Sequence, residues 1–184
     1  GGDRSREALE VLRPRSGGSC FTDGGGFAWR VYPYVEGTIC CQRAETPELF
    51  AASGRAFGRF QRLLQGYPAG TLHETIPRFH DTEDRLAKLK VAIAADALGR
   101  AKDCQAEIAF ALAREKDCSA ALDALRAGVL PLRVTHNDTK LNNVLLDEKT
   151  GEGLCIIDLD TVMPGLSIND FGDSIRFGAN HSAE

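Results

Sequence analysis

The stretch that decides the fold covers residues 135–161 and reads THNDTKLNNVLLDEKTGEGLCIIDLDT. Two apolar runs, at 144–146 and 154–157, predict short strands, and the DEKTGEG segment between them has the composition of a hairpin turn. A polar loop precedes the first strand, and Asp158 follows the second. The stretch therefore predicts a β-hairpin with polar side chains at the ends of its strands.

Helical spacing dominates the centre of the chain. Thr46 has the side chain of an N-cap, Pro47 suits a first helical position, and Gly66 would end the helix. The apolar spacing predicts three further helices, and a short strand then leads into the polar loop. These elements are expected from about residue 86 to near residue 99, at 104–112, at 120–126 and at 132–135.

The N-terminal part is predicted to contain fewer regular elements. Residues 4–12 have the pattern of the end of a helix with Leu9 and Leu12 on its apolar face, and the aromatic run at 27–35 predicts a strand. The glycine run at 24–26 precedes that strand. It lacks the G-x-x-x-x-G-K-[ST] and G-x-G-x-x-G patterns of phosphate-binding loops, so a tight turn is favoured.

Helices followed by a hairpin and separate short strands indicate the α+β fold class. The 184 residues suffice for one domain with its own core. The net charge of −4 argues against a general nucleic-acid binder, and no apolar run approaches the roughly 18 residues of a membrane span. The six cysteines form no C-x-x-C pair, and the first ten residues, GGDRSREALE, are mostly polar and charged, which favours a cytoplasmic protein with free thiols.

The polar loop carries the motif H-x-D-x-x-x-x-N, formed by His136, Asp138 and Asn143. Phosphoryl transfer needs hard oxygen ligands that hold Mg²⁺ against the phosphates and a group that orients the attacking hydroxyl. Asn143 and Asp158 are therefore predicted to bind Mg²⁺, and Asp138 is predicted to be the catalytic base. Lys140 is predicted to neutralise the transferring phosphate as a point charge. The pattern indicates an enzyme that uses ATP and Mg²⁺.

Other polar residues near the motif have predicted supporting roles. His136 is expected to brace the loop, and Asp160 could be a second metal contact or a carboxylate behind the metal ligands. The tripeptide at 170–172 spells the D-F-G of protein kinases, but it follows MPGLSIN, which is expected to be a loop because it has no strand signal. Asp170 and Asp173 are therefore predicted to accept hydrogen bonds from backbone amides near the loop, with substrate binding as the alternative.

Several segments resemble the aminoglycoside phosphotransferase-like kinases, and within them the N-acetylhexosamine 1-kinases. The segments are HNDTKLNNVLLD, CIIDLDTVMPG and NDFGDSIRFGAN, with WRVYPYVEGT, FGRFQRLL and IPRFHDT extending the similarity over nearly the whole chain. The resemblance implies a protein-kinase-like fold, with a remnant of the N-terminal lobe at 1–36 and a helical C-terminal lobe carrying the hairpin at 37–184. It also implies an adenine-binding hinge, formed by Tyr32, Pro33, Tyr34 and Val35.

The reaction that the resemblance implies moves the γ-phosphate of ATP to a hydroxyl of a small molecule, here an N-acetylhexosamine at its anomeric position. Some relatives carry the label mucin desulfatase, but the sulfatase pattern C-x-P-x-R is not in this sequence. Two alternatives stay open: a kinase-like module that only binds, and a kinase for an aminoglycoside, choline or homoserine. Neither nucleic acid nor a membrane is expected as a partner, and no pattern predicts the oligomeric state.

Two elements of that family are not found in the sequence: the glycine-rich loop and the ATP-binding lysine of the N-terminal lobe. The sequence also ends at HSAE, where the family continues with further helices that shape the sugar pocket. We therefore expect an internal fragment of a kinase with reduced nucleotide binding and turnover.

Overall fold

The computed structural model describes residues 3–180. Within these residues, runs of short antiparallel strands are separated by a run of helices, which confirms the predicted α+β class. The helices are α1 (Arg4–Glu7), α2 (Pro47–Leu63), α3 (Thr82–Ala95), α4 (Gln105–Leu112), α5 (Ala120–Arg126) and α6 (Ser167–Gly178). The strands are β1 (Phe21–Thr22), β2 (Ala28–Trp29), β3 (Thr38–Ile39), β4 (Arg133–Thr135), β5 (Val144–Asp147), β6 (Gly153–Ile156) and β7 (Met163–Gly165).

The strands of the described part form small antiparallel sheets. β1 pairs with β2, and β4 pairs with β7. A third sheet has β5 at its centre, between β3 and β6. In its hairpin Val144 lies opposite Ile156, and a bulge follows Leu145. The predicted hairpin is therefore confirmed, and β3 adds a third strand to it.

The hairpin turn is built around Asp147. Its Oδ1 accepts hydrogen bonds from the backbone N–H groups of Thr150 and Lys149, both at 3.0 Å. These bonds, the one from Thr150 first, lower the pKa of the Asp147 carboxyl, because they favour its charged form. Gly151 has a φ of 71° and donates its N–H to the Asp147 carbonyl at 2.8 Å. Glycine adopts this positive φ without strain, which explains its place in the DEKTGEG turn.

Helix α2 packs across the hairpin and forms the core with it. The helix begins as predicted, since the Thr46 Oγ1 accepts the N–H of Leu49 at 3.3 Å and Pro47 is the first helical residue. The buried core cluster joins one face of α2 to β5 and consists of Ala52, Ala56, Phe57, Val144 and Leu146. This packing fixes the hairpin, and with it the polar residues at its ends.

Gly153 in β6 lies very close to α2. A Cβ at this position would come within 2.6 Å of the Ala56 Cβ and 3.2 Å of the Ala52 carbonyl oxygen. Gly153→Ala is therefore expected to lower the free energy of unfolding by about 1–3 kcal/mol, as overpacked cores do. Urea denaturation measures the change.

The matched control for this change is Gly172→Ala in α6, where a new Cβ meets no atom within 4 Å. It is expected to raise the free energy of unfolding by about 0.5–1 kcal/mol, because alanine loses less backbone freedom than glycine. If Gly153→Ala were as stable as Gly172→Ala, the close packing of α2 on β6 would be refuted.

The structure corrects two expectations for the N-terminal part. The helix expected over residues 4–12 ends at Glu7, and Leu12 forms a β-bridge with Val31 instead. The strand expected at 27–35 is limited to β2 and this bridge. Pro33 has no N–H, so it cannot continue a ladder of hydrogen bonds.

The glycine run forms the predicted tight turn, here between β1 and β2. The Asp23 Oδ1 accepts hydrogen bonds from the N–H groups of Gly25 at 2.9 Å and Phe27 at 3.0 Å. Gly26 has a φ of 83°.

The segment MPGLSIN was expected to be a loop, and this expectation is wrong. It contains β7 and the start of α6, and Met163 lies opposite Thr135 of β4. The strand has three residues with Pro164 in the middle, so it lacks a pattern of its own and depends on its partner strand.

The cysteines and the helices of the described part give two further observations. All six cysteines are free, as predicted, and burial raises the pKa of the Cys155 thiol. None of the helices within residues 3–180 has the length and apolarity to cross a membrane.

Candidate active site

The motif H-x-D-x-x-x-x-N occupies the loop between β4 and β5. Six polar residues in and around this loop are at most 6% exposed: Thr135, His136, Asn137, Thr139, Asn143 and Asp170. Buried polar groups are costly unless they are hydrogen-bonded. The shape of the loop is therefore set by the partners of these six side chains.

His136 braces the loop, as predicted. Its ring is fully buried and packs edge-on against Phe57 and Phe60, with centroids 5.3 and 5.8 Å away. Its Nδ1 accepts the backbone N–H of Asp138 at 3.3 Å, so Nε2 carries the proton and donates to the Ile157 carbonyl at 3.0 Å. Both ring nitrogens therefore have structural roles. The ring connects Asp138 in the loop to Ile157, the residue directly before Asp158.

Asp138 is held by two neighbours in the loop. Its Oδ2 accepts a hydrogen bond from the Asn143 Nδ2 at 3.0 Å, and its Oδ1 lies 3.3 Å from the Lys140 Nζ. The Asp138 side chain is 22% exposed, so solvent and small molecules can reach it. The structure thus brings three of the predicted site residues into one cluster with an accessible carboxylate.

The oxygen donors expected to bind Mg²⁺ are available. Asn143 uses its Nδ2 for the Asp138 carbonyl and carboxylate, at 2.8 and 3.0 Å, and within residues 3–180 no protein group donates to its Oδ1. Asp158 is exposed, and its carboxylate has no hydrogen bond or ion pair in the described part. The Ile157 N–H donates to the Asn143 carbonyl at 3.0 Å and links the two residues. These oxygen donors fit the ligand preference of Mg²⁺.

The protein alone offers few ligands for a metal ion. In the range 3–180, no three His, Cys, Asp or Glu side chains come together closely enough to hold a metal ion. One carboxylate and one amide oxygen are a sparse set, which suits an ion that keeps waters and shares phosphate oxygens. A nucleotide would therefore have to supply part of the coordination.

Asp170 and Asp173 both accept backbone hydrogen bonds from the loop, as predicted. The Asp170 carboxylate accepts the N–H groups of His136 at 3.0 Å and Asn137 at 2.7 Å, and it is 3% exposed. The Asp173 Oδ2 accepts the N–H of Thr139 at 2.8 Å. Both carboxylates are committed to the protein, so the D-F-G tripeptide at 170–172 is a structural element of α6 and Asp158 is the more accessible carboxylate.

Asp160, for which the sequence left two roles open, forms an ion pair with Arg30. This pair raises the pKa of the Arg30 guanidinium, since Asp160 stabilises its charge. The Asp160 carbonyl also accepts a hydrogen bond from the Thr75 hydroxyl at 3.1 Å. The turn after Asp158 is therefore connected to the segment that leads into the predicted hinge.

The predicted hinge lies between the β-bridge at Val31 and strand β3. Tyr34 is 84% exposed, whereas Val35 is buried. The Val35 carbonyl accepts the Thr38 hydroxyl at 2.8 Å, and Pro33 has no N–H. Of the four predicted hinge residues, Pro33 alone therefore offers adenine no backbone donor.

A cavity of about 200 Å³ borders the loop at Asn137. Phe79, His80 and Asn169 contribute aromatic and polar surface to it. Its lining does not include Asp138, so the cavity does not by itself place an acceptor hydroxyl against the predicted base.

The sequence did not point to three residues that hold this site together. Asn137 occupies the variable position between His136 and Asp138, and Thr161 ends the 3-10 turn that follows Asp158. Gln61 of α2 donates from Nε2 to the Asp170 Oδ2 at 2.8 Å. A positive φ of 67° at Asn137 is a conformation that asparagine tolerates better than most residues, and this preference was the only local signal.

One comparison with known proteins bears on this site. A family model described as the phosphotransferase enzyme family, APH, matches residues 4–184 of the chain. The match covers every residue of the candidate site.

Proposed function

The chain belongs to the phosphotransferase enzyme family, and from this premise we propose that it moves the γ-phosphate of ATP to a hydroxyl of a small molecule, with Asp138 as the catalytic base. The observation that carries the proposal is the cluster of Asp138, Lys140 and Asn143. The exposed Asp158 follows Ile157, whose N–H bonds the Asn143 carbonyl. The intact set of Asp138, Asn143 and Asp158 favours an enzyme over a module that only binds.

The proposed step is a direct in-line transfer. The acceptor hydroxyl gives its proton to an Asp138 oxygen, and its oxygen forms a bond to the γ-phosphorus as the bond to the β-phosphate oxygen breaks, which releases ADP. Asn143 fixes the orientation of the carboxylate through its bond to Oδ2. Lys140 lies beside Oδ1 and is proposed to neutralise negative charge on the transferring phosphate as a point charge.

Asn143 and Asp158 would hold Mg²⁺ through the oxygens that have no partner in the described protein. When bound, the ion neutralises charge on the phosphates. The hinge at Tyr32, Pro33, Tyr34 and Val35 is proposed to bind adenine through its backbone, and the division into lobes at 1–36 and 37–184 belongs to the same proposal.

The proposed acceptor is an N-acetylhexosamine, phosphorylated at its anomeric hydroxyl. The support for it is the similarity of HNDTKLNNVLLD, CIIDLDTVMPG and NDFGDSIRFGAN to the N-acetylhexosamine 1-kinases. The test is ATP consumption with N-acetylhexosamines, neutral hexoses, aminoglycosides, choline and homoserine. The methyl glycoside of each N-acetylhexosamine is the matched control, since it differs only in a blocked anomeric oxygen.

The acceptor panel has distinct outcomes. Turnover with an N-acetylhexosamine but not with its methyl glycoside is expected. Turnover with an aminoglycoside, choline or homoserine instead would keep the phosphotransferase and reject the sugar. Binding of Mg·ATP without turnover on any acceptor would favour the module that only binds.

Asp158→Asn is expected to weaken Mg²⁺-dependent nucleotide binding by about tenfold or more. A hydrogen bond to a charged group contributes about 1.5–3 kcal/mol, which serves as the scale for the lost carboxylate, and 1.4 kcal/mol corresponds to a factor of ten. Asparagine is chosen because Asp158 has a φ of 58°, which asparagine tolerates. Calorimetric titration with Mg²⁺ and a non-hydrolysable ATP analogue measures the change.

Asp160→Asn is the matched control for Asp158→Asn, because Asp160 is an exposed carboxylate two residues away that pairs with Arg30. It is expected to leave the Mg²⁺ dependence unchanged. Equal losses in both variants, or none in Asp158→Asn, would remove Asp158 from the proposed metal site.

A further inference from the structure

Asn137 uses every hydrogen-bonding group of its side chain inside the protein. Its Oδ1 accepts the Thr135 hydroxyl at 3.0 Å, and its Nδ2 donates to the Thr135 carbonyl at 3.2 Å and the Thr161 carbonyl at 2.9 Å. The side chain is buried, with 3% of the residue exposed. Asn137 thus connects the end of β4 to the 3-10 turn Leu159–Thr161.

A second hydrogen bond runs in the opposite direction, from the turn back to the loop. The Thr161 hydroxyl donates to the His136 carbonyl at 2.7 Å, next to the bond that Asn137 gives to the Thr161 carbonyl. The residues before Asp138 are therefore tied by two half-buried hydrogen bonds to the turn that begins directly after Asp158. The Asp158 side chain, by contrast, has no partner of its own among the described residues.

We propose that Asn137 is a positioning residue that fixes the metal-binding carboxylate of Asp158 relative to the base Asp138. This inference rests on the proposed function for the roles of the two aspartates. Asp158 is exposed and stands at a φ of 58°, so its place is set by the segments on either side. His136 holds the preceding residue through the Ile157 carbonyl, and Asn137 holds the following turn.

Asparagine fits this position for two reasons. It tolerates the φ of 67°, and its amide supplies both the donor for Thr161 and the acceptor for Thr135. Gly165 of β7 leaves the room that this side chain needs. A Cβ on Gly165 would lie 3.1 Å from the Asn137 Oδ1 and would clash with the Thr135 Oγ1. Aspartate at 137 would lose the donor and bury a charge.

The test is Asn137→Gly, which keeps the backbone conformation accessible and removes the side-chain bonds. The Mg²⁺ concentration for half-maximal binding of a non-hydrolysable ATP analogue is expected to rise about tenfold, the size of effect seen when the partners of metal ligands are lost. Hydrogen exchange of the backbone at 159–163 is expected to become faster, while exchange in α3 stays unchanged. Thr161→Val, which removes only the return bond to His136, is expected to shift both readouts in the same direction by less.

The control is Leu86→Ala, which removes a buried side chain of α3 outside the candidate site and lowers stability. It is expected to keep the wild-type Mg²⁺ midpoint. If Asn137→Gly, or Thr161→Val should the glycine variant not fold, also keeps the wild-type midpoint and the exchange rate at 159–163, the proposal is overturned. If the wild-type protein binds no nucleotide, the proposed function fails, and the exchange rates still decide whether Asn137 holds the turn.

Discussion

Asp138→Asn is expected to lower kcat for phosphoryl transfer by about 10²- to 10⁴-fold, the contribution of a general base. An amide keeps the shape of the side chain but cannot take the proton of the acceptor hydroxyl. The bond from the Asn143 Nδ2 can still be accepted by the amide oxygen, so the loop is expected to stay folded. A coupled ADP-release assay measures turnover.

Nucleotide binding is the second readout for Asp138→Asn. The affinity for Mg·ATP is expected to change little, because the proposed metal ligands are Asn143 and Asp158. Retained turnover in Asp138→Asn would reject the assignment of the base. Loss of Mg·ATP binding together with turnover would instead place Asp138 in the metal site.

Asp170→Asn is expected to lower the free energy of unfolding by about 2–4 kcal/mol. The carboxylate accepts the N–H groups of His136 and Asn137 and the amide of Gln61 in a buried place. An asparagine could accept from one backbone N–H, but its own NH₂ would face the other donor. A buried donor without a partner costs about 1–3 kcal/mol, and bonds to a charged group cost more to lose. Urea denaturation gives the change in the free energy of unfolding.

The comparison with Asp158→Asn separates structure from metal binding. Asp158 is exposed and without partners in the described part, so Asp158→Asn is expected to alter stability by no more than about 0.5 kcal/mol. Asp170→Asn is expected to bind Mg²⁺ normally in the fraction that remains folded. Should Asp170→Asn lose the metal while Asp158→Asn keeps it, the D-F-G carboxylate would be the metal ligand after all.

Much of the site could be predicted because its signals are local. The hairpin, the N-cap at Thr46 and the order His136, Asp138 and Asn143 depend on residues within a few positions of each other. Phosphoryl transfer needs oxygen ligands for Mg²⁺ and a base, and this requirement predicts a role for each residue of the motif. The roles of Asp138, Lys140, the metal ligands and the hinge stay predictions until turnover and nucleotide binding are measured.

The sequence by itself determined the α+β class, the hairpin, the main helices and the motif. Tertiary structure decided that β7 pairs with β4, that Asp170 holds the loop, that Asp160 pairs with Arg30, and that Asn137 ties the loop to the turn after Asp158. These contacts join residues 24 to 130 positions apart. Such distant pairs leave no periodic pattern in the sequence. The partner of a polar side chain is decided only when packing buries the group and removes the water that it would otherwise bind.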